Sequence, residues 1–350
     1  MTPDTKKKTE VLIVDDSKTM RDLLSKILAC DEIEVVGTAA DALEAEAFMK
    51  KRLPDVVTLD IHMPGMDGVT FLRKYLPVHP IPTVMISSIN IHESDLVLKA
   101  LEYGAVDYIQ KPTLSEISAM TANMREKIIT ASKIKVKKKE LLQKVTSQRA
   151  SHSLKSGFDK IVAIGASTGG TEAIKEVLMA LPVNIPPIVI VQHIPPVFST
   201  AFARRLNELC PFEVTEGVDG EELRPGKVII APGGLQMELI KMGSVYKVKV
   251  FDGERVNRHK PSVDVLFNSV AKLLGKDAVG VILTGMGDDG AQGLLRMKNA
   301  GAYTIAQDEA SSVVYGMPRA AALLGGVQHV SPLDQVAHAI VKTLEKGKAA

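Results

Sequence analysis

VLIVDDS, residues 11–17, joins four branched apolar residues to two aspartates and a serine, and it decides the fold of the first half of the chain. The apolar run is too short for a membrane span or for the core of a signal peptide, so it reads as a buried strand. MRDLLSKILA follows, in which Leu and Ile recur three and four residues apart, as on one face of a helix. The pattern repeats outward from there. IEVVG (33–37), DVVTLD (55–60), PTVMIS (82–87) and VDYIQ (106–110) are further strands, separated by helix-period segments such as ALEAEAFMKKR. Five strand-then-helix repeats predict a doubly wound parallel sheet.

A second α/β pattern begins at Phe158. KIVAIG, PIVIVQH and AVGVILTG are continuous apolar runs of the kind that suits strands covered on both faces. Each is followed by a helical stretch, TEAIKEVLMAL, STAFARRLNEL and AQGLLRMKNAG. Between Gly226 and Phe251 the pattern becomes hairpin-like, KVIIAPGGLQMELI and then SVYKVKVF. It predicts an antiparallel excursion, with Gly233 and Gly234 at a hairpin turn. Residues 132–157 hold eight Lys and Arg against one Glu, with few apolar residues after Leu142. This stretch reads as a solvated tether, because a DNA-binding arm would need interleaved aromatics or a helix-turn-helix pattern. The expected organisation is a first domain over 8–131, a basic polar linker over 132–157 and a second domain over 158–347.

Composition agrees with this division. At 350 residues the chain exceeds a comfortable single core. Hydrophobic residues make up 45%, charged residues 24%, and the net charge of +2 is too balanced to argue for nucleic-acid or membrane binding by the chain as a whole. No run approaches ~18 apolar residues, so no membrane insertion is expected. Cys30 and Cys210 stand far apart without metal-ligand spacing and read as inert thiols in a reducing, cytoplasmic setting.

In open parallel sheets the chemistry collects beyond the carboxyl ends of the strands. Here the first strand ends in Asp15 and Asp16, the third in Asp60, the fourth in Ser87 and the fifth at Lys111, before Pro112. Three converging carboxylates repel unless a cation sits among them, and an oxygen-only, partly hydrated set favours Mg2+. A hydroxyl and a lysine beside them suit phosphate oxygens. With VDDS, LDIHMPGMDG, MISS and the terminal KP, residues 8–131 closely resemble the response-regulator receiver family, a flavodoxin-like (βα)5 fold. The resemblance implies that Asp60 accepts a phosphoryl group. It implies Mg2+ bound directly by Asp16 and Asp60, through water by Asp15, and by the backbone carbonyl of His62. Ser87 and Lys111 would sense the phosphate, and Tyr108 falls where receivers carry a mobile aromatic.

The second domain has its own reactive turn. Gly165-Ala166-Ser167-Thr168-Gly169-Gly170 follows the strand KIVAIG and opens a helix, a G-x-S-x-G match whose small residues let the chain bend and expose a hydroxyl. A phosphate-binding glycine loop is the competing reading, but G-x-G-x-x-G spacing and a Gly-Lys-Ser/Thr are lacking. A nucleophilic serine needs a base and an orienting acid. His193 ends the strand PIVIVQH, and Asp288 and Asp289 lie just past AVGVILTG. Serine, histidine and aspartate, each after a buried strand, form a coherent triad, in an order unlike that of ordinary α/β-hydrolases. His259, in a polar loop ahead of a helix, reads as a structural hydrogen-bonding residue, with substrate binding as the alternative.

GASTGG, VQHIPP, NRHKPSVDVLF, LTGMGDDG and AQDEASSVVYGMP resemble the catalytic domain of CheB-type chemotaxis methylesterases, over roughly residues 158–345. The resemblance implies a doubly wound, mainly parallel hydrolytic domain with Ser167 as nucleophile, His193 as base and Asp289 as orienting acid. Asp288 is left as a helix cap, and Thr168 and Met286 fall at oxyanion contacts. It further implies a phosphorylation-regulated enzyme that demethylates glutamyl methyl esters and deamidates glutamines on chemoreceptor cytoplasmic domains. A chemotaxis histidine kinase would be the phosphodonor, with no cofactor in the catalytic domain. Joining a charge-triggered module to a hydrolase suggests that the first restrains the second until phosphorylated. The rival readings are a DNA-binding response regulator using the Lys-rich segment, and a hydrolase of small-molecule esters or amides.

Overall fold

The computed structural model describes residues 7–88, 91–113, 115–136 and 160–346, which fall into two compact units. In the first, β1 (Thr9–Val14), α1 (Lys18–Leu28), β2 (Ile33–Ala39), α2 (Ala42–Lys51), β3 (Val56–Asp60), α3 (Gly68–Tyr75), β4 (Thr83–Ser87), α4 (Ile91–Glu102), β5 (Asp107–Gln110) and α5 (Ile117–Ser132) alternate strictly. The strands are all parallel, in the order β2-β1-β3-β4-β5. Side-chain caps set several of the helix starts. Ser17 accepts from the Met20 N–H at 3.3 Å, Asp41 from Leu43 and Glu44, and Asp67 from Thr70. The winding reverses between β1 and β3, so the crevice at that reversal opens beside Asp15, Asp16 and Asp60.

The second unit is larger. β6 (Ile161–Ala166), α6 (Gly170–Ala180), β7 (Ile188–Gln192), α7 (Pro196–Leu209), β8 (Glu213–Glu216) and β9 (Lys227–Ile230) lead to a hairpin of β10 (Gln236–Met242) and β11 (Val245–Phe251). α8 (Val263–Leu274), β12 (Ala278–Ile282), α9 (Ala291–Asn299), β13 (Tyr303–Gln307), α10 (Met317–Leu323), β14 (His329–Ser331) and α11 (Leu333–Lys346) complete it. Seven strands form one parallel sheet in the order β14-β13-β12-β6-β7-β9-β8. The apolar runs noted in the sequence are its central strands, and every residue of β6, β7 and β12 is buried. The chain winds from β6 toward β8 and returns to β12 on the other side of β6. The reversal point therefore lies at the carboxyl end of β6, where Ser167 stands.

Two expectations are corrected. KVII does not belong to the antiparallel excursion; it is β9, parallel to both its neighbours, because its buried apolar residues fill the sheet interior. Gly233 and Gly234 do not form the hairpin turn either. A Cβ on Gly233 would lie 2.3 Å from the carbonyl carbon of Pro195, so this pair serves close packing against the segment after β7. The hairpin turns at Gly243 and Ser244, with Met242 opposite Val245 and a glycine φ of 64°. The basic stretch, from residue 137 onward, lies outside the described residues. Among the described residues no helix is long and apolar enough to cross a membrane.

Phe267 of α8 is fully buried among Val263, Leu294 and Met297 under the second sheet. Phe267→Ala should destabilise the second unit by about 3–5 kcal/mol. Urea unfolding of the full chain followed by circular dichroism should show one transition moved to lower urea while that of the first unit stays in place.

Candidate functional site

Register brings the nucleophile and the base together. Ala166 pairs with Gln192 across β6 and β7, so Ser167 and His193 are the next residues on adjacent parallel strands, which run about 4.8 Å apart. The His193 N–H donates to the Ala166 carbonyl at 3.1 Å, and the Ser167 N–H to the Thr284 carbonyl beyond β12 at 3.0 Å. The Gln192 side chain, 3% exposed, ties both residues down by donating from Nε2 to the Ser167 carbonyl at 2.9 Å and to that of His193 at 3.3 Å. Two glycines make the turn possible. A Cβ on Gly170 would lie 2.1 Å from the Gln192 Oε1, and one on Gly285 would lie 2.8 Å from the Ser167 Cβ and 2.2 Å from the Met317 Sδ. Thr168 is buried, and its carbonyl accepts from the Thr284 hydroxyl at 2.9 Å; Met286 directly follows Gly285, which lies against the serine.

Asp289, 1% exposed, is the carboxylate at the base, whereas its neighbour Asp288 is exposed. The His193 Nε2 lies 2.8 Å from the Asp289 Oδ2, which also accepts from the Val263 N–H at 2.7 Å. The other oxygen accepts from the Ser262 hydroxyl at 2.7 Å, the Asn257 amide at 2.8 Å and the Asp264 N–H at 3.3 Å. Burial alone would raise this carboxyl, but the hydrogen bonds and charge of His193, with Ser262 and Asn257, hold it down at about 2. The ionised acid fixes the imidazole proton on Nε2. The Nδ1 atom is buried with no hydrogen-bond partner, so Ser167, at the adjacent strand end, is not hydrogen-bonded to that nitrogen.

His259, expected to be a structural loop residue, lies face to face on His193, with ring centroids 3.7 Å apart and planes 7° from parallel. Asn257, Ser262 and Asp264 were not singled out from sequence, although all three lie within the quoted NRHKPSVDVLF. Their only signal was a cluster of polar residues ahead of an amphipathic helix.

In the first unit, ligand oxygens of Asp15, Asp16 and Asp60 lie within 4.8 Å of one another. Asp15 and Asp60 are buried and Asp16 is exposed, which leaves one side of the cluster open to water. The Lys111 Nζ sits 2.9 Å from the Asp15 Oδ2 and 2.8 Å from the Asp60 Oδ2. Its approach to Asp15 lacks hydrogen-bond alignment, so that buried oxygen keeps unfilled acceptor capacity. Burial raises Asp60 above the ordinary carboxylate range, the Asp15 charge adds to this, and Lys111 offsets only part of it. One ammonium against three acids leaves the cluster short of positive charge, and an oxygen-only set of this size fits a hard divalent cation such as Mg2+. Ser87 is buried one residue past the Asp60–Ile86 register, and its backbone carbonyl accepts from the Lys111 N–H at 2.8 Å. The His62 side chain is turned to Glu93, with Nε2 3.2 Å from Oε1. Tyr108 is 8% exposed, so it is a buried rather than a surface tyrosine, and burial pushes its phenol well above the ordinary range.

The depressed Asp289 makes a pH-dependent contribution to folding. Its folded value of about 2 lies below the ordinary 3.8, so the stabilisation is present above the ordinary range and is lost as pH falls toward 2. The expected loss between about pH 5 and about pH 2 is roughly 2 kcal/mol. Urea titrations of the second unit's transition across that range should show a shallower acid dependence in Asp289→Asn.

Comparison with known proteins places this geometry in a family. A family model described as CheB methylesterase matches residues 162–340, and one described as response regulator receiver domain matches residues 11–122. Proteins named protein-glutamate methylesterase/protein-glutamine glutaminase from Shigella flexneri and Escherichia coli (strain K12) are each 49% identical to the chain over 346 residues, which is 98% of this chain and 99% of theirs. The crystal structure of the Thermotoga maritima CheB methylesterase catalytic domain matches with a TM-score of 0.51 at 37% identity, covering 53% of this chain and 98% of that one. Ser167, His193 and the buried Asp289 thus sit in the matched catalytic region and the acidic cluster in the matched receiver region, and the chain belongs to the CheB methylesterase family, with a response-regulator receiver domain ahead of its catalytic domain.

Proposed function

We propose that the chain is a phosphorylation-regulated protein-glutamate methylesterase and protein-glutamine glutaminase acting on the cytoplasmic domains of chemoreceptors. The reading assigns residues 8–131 to the receiver, 132–157 to the linker and 158–347 to the hydrolase, with the protein working in the cytoplasm. The observation that carries it is the buried His193–Asp289 pair, 2.8 Å apart, one register step beyond the strand ends that hold Ser167 beside the ring.

The chemistry follows from which ring nitrogen is occupied. Asp289 holds the proton on Nε2, so Nδ1 is the basic atom and takes the proton from the Ser167 hydroxyl as Oγ attacks the ester carbonyl carbon. Ring rotation is blocked by the Asp289 bond and the stacked His259, so the serine hydroxyl makes the final adjustment. Negative charge develops on the former carbonyl oxygen. We assign its stabilisation to Thr168 and Met286, which flank the serine, aided by the amino end of α6. The doubly protonated ring faces an ionised acid while the intermediate lasts. It then passes the Nδ1 proton to the departing methoxide, releasing methanol and leaving the glutamyl ester of Ser167. Water, deprotonated by Nδ1, cleaves that ester and restores Ser167 and a free glutamate. A glutamine side chain follows the same path with ammonia as the leaving group.

In the receiver, Asp60 is the phosphoacceptor, and a chemotaxis histidine kinase is the donor. Asp16 and Asp60 would hold Mg2+ directly, Asp15 through water and His62 through its backbone carbonyl; when bound, the cation neutralises charge on the phosphoryl oxygens. Lys111 is already beside Asp60, and Ser87 stands one residue beyond the paired strand, so both meet the phosphoryl oxygens with little movement. Tyr108 packs where such a shift would be felt.

Methanol release from methylated receptor membranes tests the hydrolase. Ser167→Ala should lower the rate by about three orders of magnitude or more, and retained release would end the reading. A small-molecule phosphodonor should raise release by the wild type and leave Asp60→Asn unchanged. Equal stimulation of both would remove Asp60 from its role.

A further inference from the structure

The loop between β11 and α8 holds two consecutive non-glycine residues in the left-handed region, Asn257 at φ 51° and Arg258 at φ 70°. Side chains rarely adopt this backbone, and its persistence requires surrounding contacts that over-determine it. The contact is plain at Asn257. Its Nδ2 donates to two carboxylates at once, the Asp264 Oδ2 at 2.7 Å and the Asp289 Oδ1 at 2.8 Å. Both acceptors lack hydrogens when ionised, so the amide nitrogen, and not its oxygen, must face them. Asp264 is 6% exposed, and its other oxygen accepts from the Gly293 N–H at 2.6 Å. Two buried carboxylates thus share one neutral bridge.

We infer that Asn257 is a positioning residue for the hydrolytic reaction, an amide clamp that lets the buried Asp264 and Asp289 coexist and holds Asp289 in line with His193. The inference rests on the hydrolase reading above. Asp264 is kept above the ordinary carboxylate range by burial, with the Gly293 N–H opposing and the Asp289 charge adding, which shows how closely the two acids are coupled. Other ionisable groups lie on the elements around the pair. His193 comes from the end of β7, with His259 stacked on it; Arg258 and Lys260 come from the loop, Lys260 paired with Asp252; Asp288 precedes Asp289, and Arg296 projects from α9. Without the clamp, Asp289 loses a donor and the Asp264 charge is no longer bridged. Negative potential at the imidazole rises, the doubly protonated ring is favoured, and the neutral base is reached only at higher pH.

The experiment is methanol release from methylated receptor membranes by the full chain with a small-molecule phosphodonor, measured across pH. Asn257→Gly is the informative variant, because glycine accepts the left-handed φ without strain while the side chain that carries the amide is removed. It should lower kcat roughly 10- to 100-fold with KM within about two-fold, and move the acid limb of kcat/KM to higher pH. Asp264→Asn should move the limb to lower pH on its own, and in the Asn257→Gly background it should bring the limb back and restore part of kcat. Wild-type kcat and acid limb in Asn257→Gly overturn the clamp. So does a fall in kcat with an unmoved limb, the mark of mere bracing. Should Asn257→Gly fail to fold, an unmoved limb in Asp264→Asn overturns it equally. A wild type that releases no methanol, or a Ser167→Ala that still does, strikes the hydrolase reading instead.

Discussion

A carboxylate shut away from water stays charged only if donors replace its hydration, and much of the second unit's active edge is arranged around that requirement at Asp289. Its two oxygens take hydrogen bonds from a ring nitrogen, a hydroxyl, a side-chain amide and two backbone N–H groups. The backbone donors are the first residues of α8, Val263 and Asp264, so the helix start is oriented toward the acid. The loop before α8 accepts two left-handed residues, and that bend delivers Asn257 to the acid and His259 to the face of His193. The ionised acid then decides which imidazole nitrogen is basic. Fold, local strain and reactivity follow from one desolvated charge.

The two units solve a similar problem at similar places. Each is a parallel sheet whose winding reverses, and each collects reactive groups in the crevice that the reversal leaves open. In the receiver the crevice gathers acids, and the charge they accumulate is met by Lys111 and remains negative enough to suit a cation. In the catalytic unit the same crevice gathers a hydroxyl, an imidazole and an acid, and the negative charge is confined by hydrogen bonds. The difference lies in neutralisation. An open acidic rim suits exchangeable ions and a transferable phosphoryl group, whereas a closed, hydrogen-bonded acid suits a fixed proton path.

Much of this was legible along the chain because strand ends in buried parallel sheets announce themselves. The apolar run stops, and whatever polar residue follows is at the functional edge. Asp15, Asp60, Ser87, Ser167 and His193 were all found in that way. KVII and the Pro-Gly-Gly after it misled, since a short apolar run ahead of glycines looks the same whether its strand pairs within a hairpin or inside the sheet. β8 and β14 stayed hidden for a related reason. EVTE and HVS are short, polar edge strands without a distinctive period.

The sequence by itself determined the alternation of central strands and helices, the two-unit division and the identity of the residues at the central strand ends. Those depend on periodicity and local caps, which neighbouring residues encode. Tertiary structure alone decided the register that sets Ser167 beside His193, the pairing of Asp289 with Nε2 rather than Nδ1, and the capture of Asn257 and His259 by the active edge. These are contacts between residues far apart in the chain, fixed by where a sheet reverses and which charges it buries, and no local pattern carries that information.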